Sequence, residues 1–139
     1  MTPAQHPDGG RRALQITLGT LACIPFASGL AGMLVGPRSL PGDRSRVEAS
    51  LDNEYRYAHA IWFAAAPVLW STLPQIERQG AVLRAVSATV FLGGLARSLS
   101  WRRVGRPHPV FVGATALELG VPALVLWQNR VAKRAGQHR

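Results

Sequence analysis

Residues 13–36 read ALQITLGTLACIPFASGLAGMLVG, a run of 24 residues without Asp, Glu, Lys or Arg. At about 1.5 Å per residue, a helix of this length crosses a bilayer hydrocarbon core of about 30 Å. The run therefore predicts a transmembrane helix, which we expect to be retained because it is longer than the apolar core of a signal peptide. Ser28, Gly32 and Gly36 recur every four residues, a spacing that lets helix backbones approach closely, and Pro25 should kink the helix.

Three further apolar stretches follow, at residues 55–73, 81–99 and 110–127. We predict an all-α, up-and-down four-helix transmembrane bundle over residues 13–127. Residues 1–12 are predicted to be a disordered basic N-terminus, and residues 128–139 a basic C-terminal tail. The second and third stretches contain charged residues and short uncharged runs, so each alone could also be a helix of a soluble bundle, which is the less favoured alternative.

The net charge is +9, from 16 Lys and Arg against seven acids. These basic residues stand mainly at the ends of the apolar stretches, where they meet lipid phosphates, instead of gathering on one face as in a nucleic-acid-binding protein. Four crossings place both termini on one side of the membrane. Eight Lys and Arg fall on each side, and we favour cytoplasmic termini because the terminal basic residues lie close to helix ends.

Glu118 is the most deeply placed ionisable residue, roughly 12 Å along its helix from the start of the fourth stretch. Such a group has to be paired or neutral, because a charge in hydrocarbon is costly. In an up-and-down bundle Arg56, His59 and Arg97 lie at the same membrane face as Glu118. We predict that Arg97 or Arg56 pairs with Glu118, and that His59 and Asn53 complete a polar cluster.

Helix periodicity supports this cluster. Arg56, His59 and Phe63 share one helix face. In the third stretch, a stripe of small residues leads to Arg97 and should pack against a neighbouring helix. The stripe consists of Ala81, Ala85, Thr89 and Gly93. Arg84, at the opposite face, is expected to contact a lipid headgroup. The cluster is either a site for an anionic or polar ligand or, slightly favoured, an ion pair that only fixes helix register.

No motif indicates a metal or another cofactor. Cys23 is the only cysteine, and no second His or Cys is placed to share a metal with His59. Nucleophile-elbow, zinc-protease and CxxC patterns are missing from the sequence. We therefore expect no cofactor, and an enzymatic activity is less favoured than a non-enzymatic role.

Three runs together resemble a known family: NEYRYAHAIWF (53–63), LRAVSATVFLGGLARSLSW (83–101) and GRPHPVFVGATALELGVP (105–122). The chain resembles domain-of-unknown-function family 4345 over residues 14–127. The matching positions are Asn53, Arg56, Tyr57, Arg84, Gly93, Gly94, Arg97, Gly105, Pro107 and Glu118. The resemblance implies a small, four-helix membrane protein of a bacterial inner membrane and implies no activity.

Two classes of function follow. The favoured one is a structural or accessory membrane component that packs against a protein partner, or against further copies of itself, within the bilayer. The alternative is a small membrane enzyme or carrier that binds a ligand at the Arg/His/Glu cluster. We expect no nucleic-acid partner.

Overall fold

The computed structural model describes residues 9–42 and 47–137, and within these ranges it contains helices and turns but no strand. Six α-helices make up four long helical segments, so the predicted all-α class with four segments is confirmed. The helices are α1 (Gly9–Leu21), α2 (Cys23–Val35), α3 (Ala49–Thr72), α4 (Gly80–Val104), α5 (Pro109–Gly120) and α6 (Pro122–Gln137). Short 3-10 helices at Gly36–Ser39 and Leu73–Gln75 follow α2 and α3.

Prolines divide the first and the fourth segments. Pro25 lacks the N–H that a helix would direct at the carbonyl of Leu21, and the break between α1 and α2 falls at the next residue, Ala22. The helix is therefore interrupted at the place where the kink was predicted. Pro122 acts in the same way on the carbonyl of Glu118, which instead accepts from the backbone N–H of Val121 at 3.4 Å. This second break was not predicted from the sequence.

Several helix ends differ from the predicted ones. Residues 9–12 were predicted to be disordered but form the first turn of α1, because Arg11 is held by hydrogen bonds from Nε to Glu77 Oε2 (3.1 Å) and from Nη2 to the carbonyl of Pro74 (2.7 Å). The prediction for residues 1–8 lies outside the described residues. Helix α3 begins before residue 55 because the Glu48 side chain accepts from the backbone N–H of Leu51 and caps it.

The predicted C-terminal tail is helical as far as the structure describes it. Helix α6 continues ten residues beyond the predicted end at Trp127, to Gln137. Gln128 and Val131, three residues apart, are buried, and no proline interrupts the chain after Pro122. One buried face therefore continues the helix into the basic segment.

The chain forms two compact units. In the first, Thr17–Leu73, helices α2 and α3 run antiparallel. A Cβ at Gly29 would collide with the backbone of Phe63, and one at Gly32 would collide with the ring of His59. Trp62 Nε1 donates to Ser28 Oγ at 3.1 Å. The close helix approach predicted from the small residues of the first segment is therefore confirmed.

In the second unit, to which the described residues 9–16 and 74–137 belong, α4 runs antiparallel to α5 and α6. The buried residues of α4 are Leu83, Ser87 and Gly94. The stripe predicted to pack against a neighbour is exposed at Ala81, Ala85 and Thr89, so that prediction was wrong over most of its length. The buried face is rotated away from it because Gly94 makes the closer approach: a Cβ there would stand 3.1 Å from Glu118 and Leu119, whereas one at Gly93 would stand 3.9 Å from Glu118 Oε2.

Three segments within the described ranges are long and apolar enough to cross a membrane: Gly9–Ser39, Gly80–Val104 and Pro109–Gln137. Helix α3 is 24 residues long but carries Asp52, Glu54 and Arg56 near its start. Large apolar side chains are exposed on these segments, including Leu34 (65%), Leu92 (63%) and Leu126 (60%). Apolar exposure of this extent is typical of surfaces that contact lipid or protein.

Candidate functional site

Arg97 on α4 and Glu118 on α5 form an ion pair. Arg97 Nε donates to Glu118 Oε1 at 3.0 Å, and Oε2 lies at the same distance from Nε. The Glu118 side chain is only 12% exposed, whereas that of Arg97 is 43% exposed. The guanidinium carbon of Arg97 also lies 5.6 Å from the centroid of the Phe111 ring, within the range of a cation–π contact. Of the two arginines predicted as partners of Glu118, Arg97 and Arg56, the structure therefore pairs Arg97 with it.

Local sequence explains how the two helices approach at this pair. A Cβ at Gly94 would stand 3.1 Å from Glu118 Cβ, so the missing side chain allows α5 to lie close to α4. Glu118 Oε2 is buried and lies 3.0 Å from the positively charged Arg97 Nε, but the Nε hydrogen bond goes to Oε1, so Oε2 accepts no hydrogen bond among the described residues. The charge of Arg97 compensates this oxygen, and its lone pairs leave the carboxylate able to accept one further hydrogen bond.

Arg56 has a different role, at the end of α2. Its Nε donates to Asp52 Oδ2 at 2.8 Å, and its Nη1 donates to the carbonyls of Met33 (2.8 Å) and Leu34 (2.9 Å). A cation that binds the last carbonyls of a helix satisfies acceptors without helical donors and opposes the helix dipole. Gly36 completes the arrangement for two reasons. Its φ of 74° is a conformation that other residues rarely adopt, and the nearby Asp52 and Arg56 side chains leave no room for a Cβ.

His59 and Asn53 differ in how far the protein encloses them. The His59 ring stacks on Tyr55 with centroids 3.9 Å apart, and its Nδ1 lies 2.8 Å from the Tyr55 carbonyl. The same ring lies against Gly32, so the predicted helix face of Arg56, His59 and Phe63 does contact α2. Asn53 is exposed. That these residues share a ligand with Arg97 and Glu118 stays a prediction.

Arg84 is exposed near the start of α4 and makes no hydrogen bond to any described residue. Its proposed contact with a lipid headgroup also stays a prediction. Within residues 9–42 and 47–137, no cluster of three or more His, Cys, Asp and Glu side chains is arranged to hold a metal ion.

Two polar contacts were missed by the sequence analysis. Gln128 is 2% exposed, and its Nε2 donates to the carbonyl of Ile76 at 3.0 Å. Burial raises the pKa of Glu77. Hydrogen bonds from its own backbone N–H and from Arg11, together with the charge of Arg11, lower it by more, so the pKa lies below its ordinary value. Neither contact had a local signal, since the partners are far apart in the chain. The Asp52–Arg56 pair did have one, the i, i+4 spacing.

None of the curated proteins and none of the solved structures compared with this chain matches it. A family model described as domain of unknown function (DUF4345) matches residues 13–128. This match covers the four helical segments and includes Arg56, Arg97 and Glu118. The chain therefore belongs to the DUF4345 family.

Proposed function

We propose that this chain is a multi-pass protein of the bacterial inner membrane with a structural or accessory role. The observation that carries the proposal is the Arg97–Glu118 pair, an ion pair between two helices that expose large apolar side chains. In hydrocarbon a polar side chain needs a partner within the protein, because no water is there to satisfy it.

The arginines of the predicted cluster are engaged in holding helices. Arg97 binds Glu118 and lies over Phe111, while Arg56 binds Asp52 and two carbonyls of α2. A catalytic group would instead need a free position beside a substrate. These contacts therefore favour a structural role, and the exposed stripe of Ala81, Ala85 and Thr89 supplies a small-residue face of the kind that helices use to associate in lipid.

Helix α3 is proposed as a fourth crossing. Within α3, residues 57–72 contain no Asp, Glu, Lys or Arg. These residues extend about 24 Å as an α-helix, and the 3-10 helix at Leu73–Gln75 adds about 6 Å. The first turns of α3, with Asp52, Glu54 and Arg56, would lie at the membrane surface. Four crossings would place both termini on one side of the membrane. We propose that this side is the cytoplasm, where the basic end of α6 would lie against anionic lipid.

Purification in a mild detergent tests the accessory role. The full chain is expressed in bacteria, the membranes are washed with alkaline carbonate, and the protein is extracted and analysed by size-exclusion chromatography and mass spectrometry. We expect the chain to remain with the washed membranes and to elute with a stoichiometric protein partner or as a homo-oligomer. A carbonate-soluble chain, or a monomer without any protein partner, would contradict the proposal.

One observation favours a second candidate, a ligand site at the ion pair. Glu118 Oε2 is buried and accepts no hydrogen bond among the described residues, although it lies 3.0 Å from Arg97 Nε, so a ligand with a hydroxyl or ammonium group could donate to it. The charge-reversed double variant Arg97→Glu with Glu118→Arg separates the two candidates. A structural pair should recover most of its stability when reversed. A ligand site should lose a small molecule that co-purifies with the wild-type protein, even where stability recovers.

A further inference from the structure

A depression of about 310 Å³ lies where α2 ends and α3 begins. Its lining consists of Val35, Arg38, Val47, Asp52 and Arg56, all within the first compact unit. This volume is at the small end of the range for ligand sites, about 300–1,000 Å³, so it suits a headgroup-sized molecule.

The lining of this depression is positive. Its described lining contains two guanidinium groups and one carboxylate, which give it a formal charge of +1. The carboxylate of Asp52 is already paired with Arg56 Nε. Arg38 is exposed and makes no hydrogen bond or ion pair with any described residue. The depression therefore presents one uncompensated guanidinium, a fork of donors that matches the oxygens of a phosphate.

The depression also lies at the end of a candidate membrane span. The span Gly9–Ser39 ends one residue after Arg38, and basic side chains at helix ends stand at the level of lipid phosphates. Val35 and Val47 give the depression an apolar edge that can contact the glycerol and acyl parts of a lipid. This step depends on the proposed membrane location.

We propose that the depression binds a phosphate anion, with Arg38 as its principal donor and the phosphodiester of a glycerophospholipid as its source. Arg56 neutralises Asp52 and caps α2, so it holds the walls of the depression in place. The phosphate is therefore bound mainly by Arg38. Neither the Arg97–Glu118 pair nor Arg84 takes part.

Lipid retention tests the proposal. The full chain is purified in mixed micelles that contain equal amounts of phosphatidylglycerol and a phosphate-free glycolipid, and bound lipid is counted by native mass spectrometry. We expect the wild-type protein to retain phosphatidylglycerol in preference, and Arg38→Gln to retain about tenfold less, as loss of one charge-assisted hydrogen bond predicts. Arg38→Lys should restore part of the retention. Arg102→Gln, a matched loss of an exposed arginine at the end of α4, should have no effect.

A second arm distinguishes the sources of phosphate. Inorganic phosphate and glycerol phosphate are titrated against the detergent-solubilised protein by calorimetry. Binding that depends on Arg38, without retained lipid, would support the phosphate site and assign it to a soluble phosphate. Equal retention and equal titration by Arg38→Gln and the wild type, or equal losses in Arg102→Gln, would overturn the proposal. A chain that stays in solution without detergent but still binds phosphate through Arg38 would overturn only the membrane location.

Discussion

Glu118 illustrates at the residue scale how an apolar helix accommodates a carboxylate. The side chain is almost enclosed, and Arg97 supplies its only hydrogen bond among the described residues. Removal of either partner leaves the other charge unpaired, at a cost in stability that rises with the burial of that charge. The cost is therefore larger when Glu118 is left unpaired than when the half-exposed Arg97 is.

The first prediction concerns the stability of this pair. Glu118→Gln and Arg97→Gln should each lower the free energy of unfolding in detergent by about 1–3 kcal/mol, because each change removes a charge-assisted hydrogen bond. The double variant should lose less than the two single changes together, by about 1 kcal/mol, since both remove the same contact. Chemical unfolding followed by circular dichroism measures these differences. Strictly additive losses would contradict the pairing.

The second prediction concerns pH and Glu77, which lies between α3 and α4. Its pKa is lowered in the folded protein, so its contribution to stability is present above the unfolded pKa of about 4.3 and is lost as pH falls through the lower folded value. Arg11→Gln should therefore destabilise the protein near neutral pH, and its stability should approach that of the wild type as the solution is acidified. Thermal unfolding between neutral and acidic pH measures this convergence.

Arg12→Gln is the matched control for that experiment, because Arg12 is the exposed neighbour of Arg11 on the same helix. Its stability should follow the wild-type curve at every pH. If the difference in stability between Arg11→Gln and the wild type did not change with pH, Arg11 would not be what lowers the pKa of Glu77, and the prediction would be wrong.

At the scale of elements, the contact between α2 and α3 depends on glycine. The third prediction is that Gly29→Ala lowers the free energy of unfolding by about 1–3 kcal/mol, because the added Cβ meets the backbone of Phe63, which cannot move aside as a flexible side chain would. Gly113→Ala is the control, since a Cβ there meets nothing within 4 Å. That change should be neutral or stabilising by up to about 1 kcal/mol, because alanine is the better helix former. Equal effects at both positions would contradict close packing at Gly29.

The sequence predicted helices better than helix boundaries and faces. Hydropathy located all four segments, and Pro25 located the first break, because both signals are local. The break at Pro122 had the same signal and was overlooked. The extension of α6 to Gln137 depends on the burial of Gln128 against the carbonyl of Ile76, a contact between distant parts of the chain that helix periodicity does not encode.

At the scale of the whole chain, the candidate site was predicted in part. An antiparallel order of helices, which the structure shows for α4 and α5, left Arg97 and Arg56 as alternative partners of Glu118, and the structure pairs Arg97 with it. The actual partners of Arg56 could not be derived in full, since two of them are backbone carbonyls at the end of α2. Backbone groups carry no residue-specific signal in a sequence.

The fourth prediction concerns topology and depends on whether α3 crosses the membrane. Fluorescent-protein fusions, which mature in the cytoplasm, and alkaline-phosphatase fusions, which are active outside it, are placed at each terminus in turn. We expect fluorescent-protein fusions at both termini to be fluorescent and phosphatase fusions at both termini to be inactive, because four crossings return the chain to its starting side. Opposite results at the two termini would mean three crossings and a surface-bound α3.

The membrane location itself is tested most directly at Cys23. This cysteine is exposed in the folded chain and lies within the span Gly9–Ser39, so the fold does not cover it and only lipid or a bound partner would keep it from water. Permeabilised membranes are treated with a water-soluble maleimide. Cys23→Ser with Ser50→Cys provides the positive control, because Ser50 is exposed in the first turn of α3, outside the three candidate spans. We predict that Cys23 reacts only after denaturation in SDS, whereas the control reacts at once. Reaction of Cys23 at the rate of the control in native membranes would contradict a transmembrane first segment.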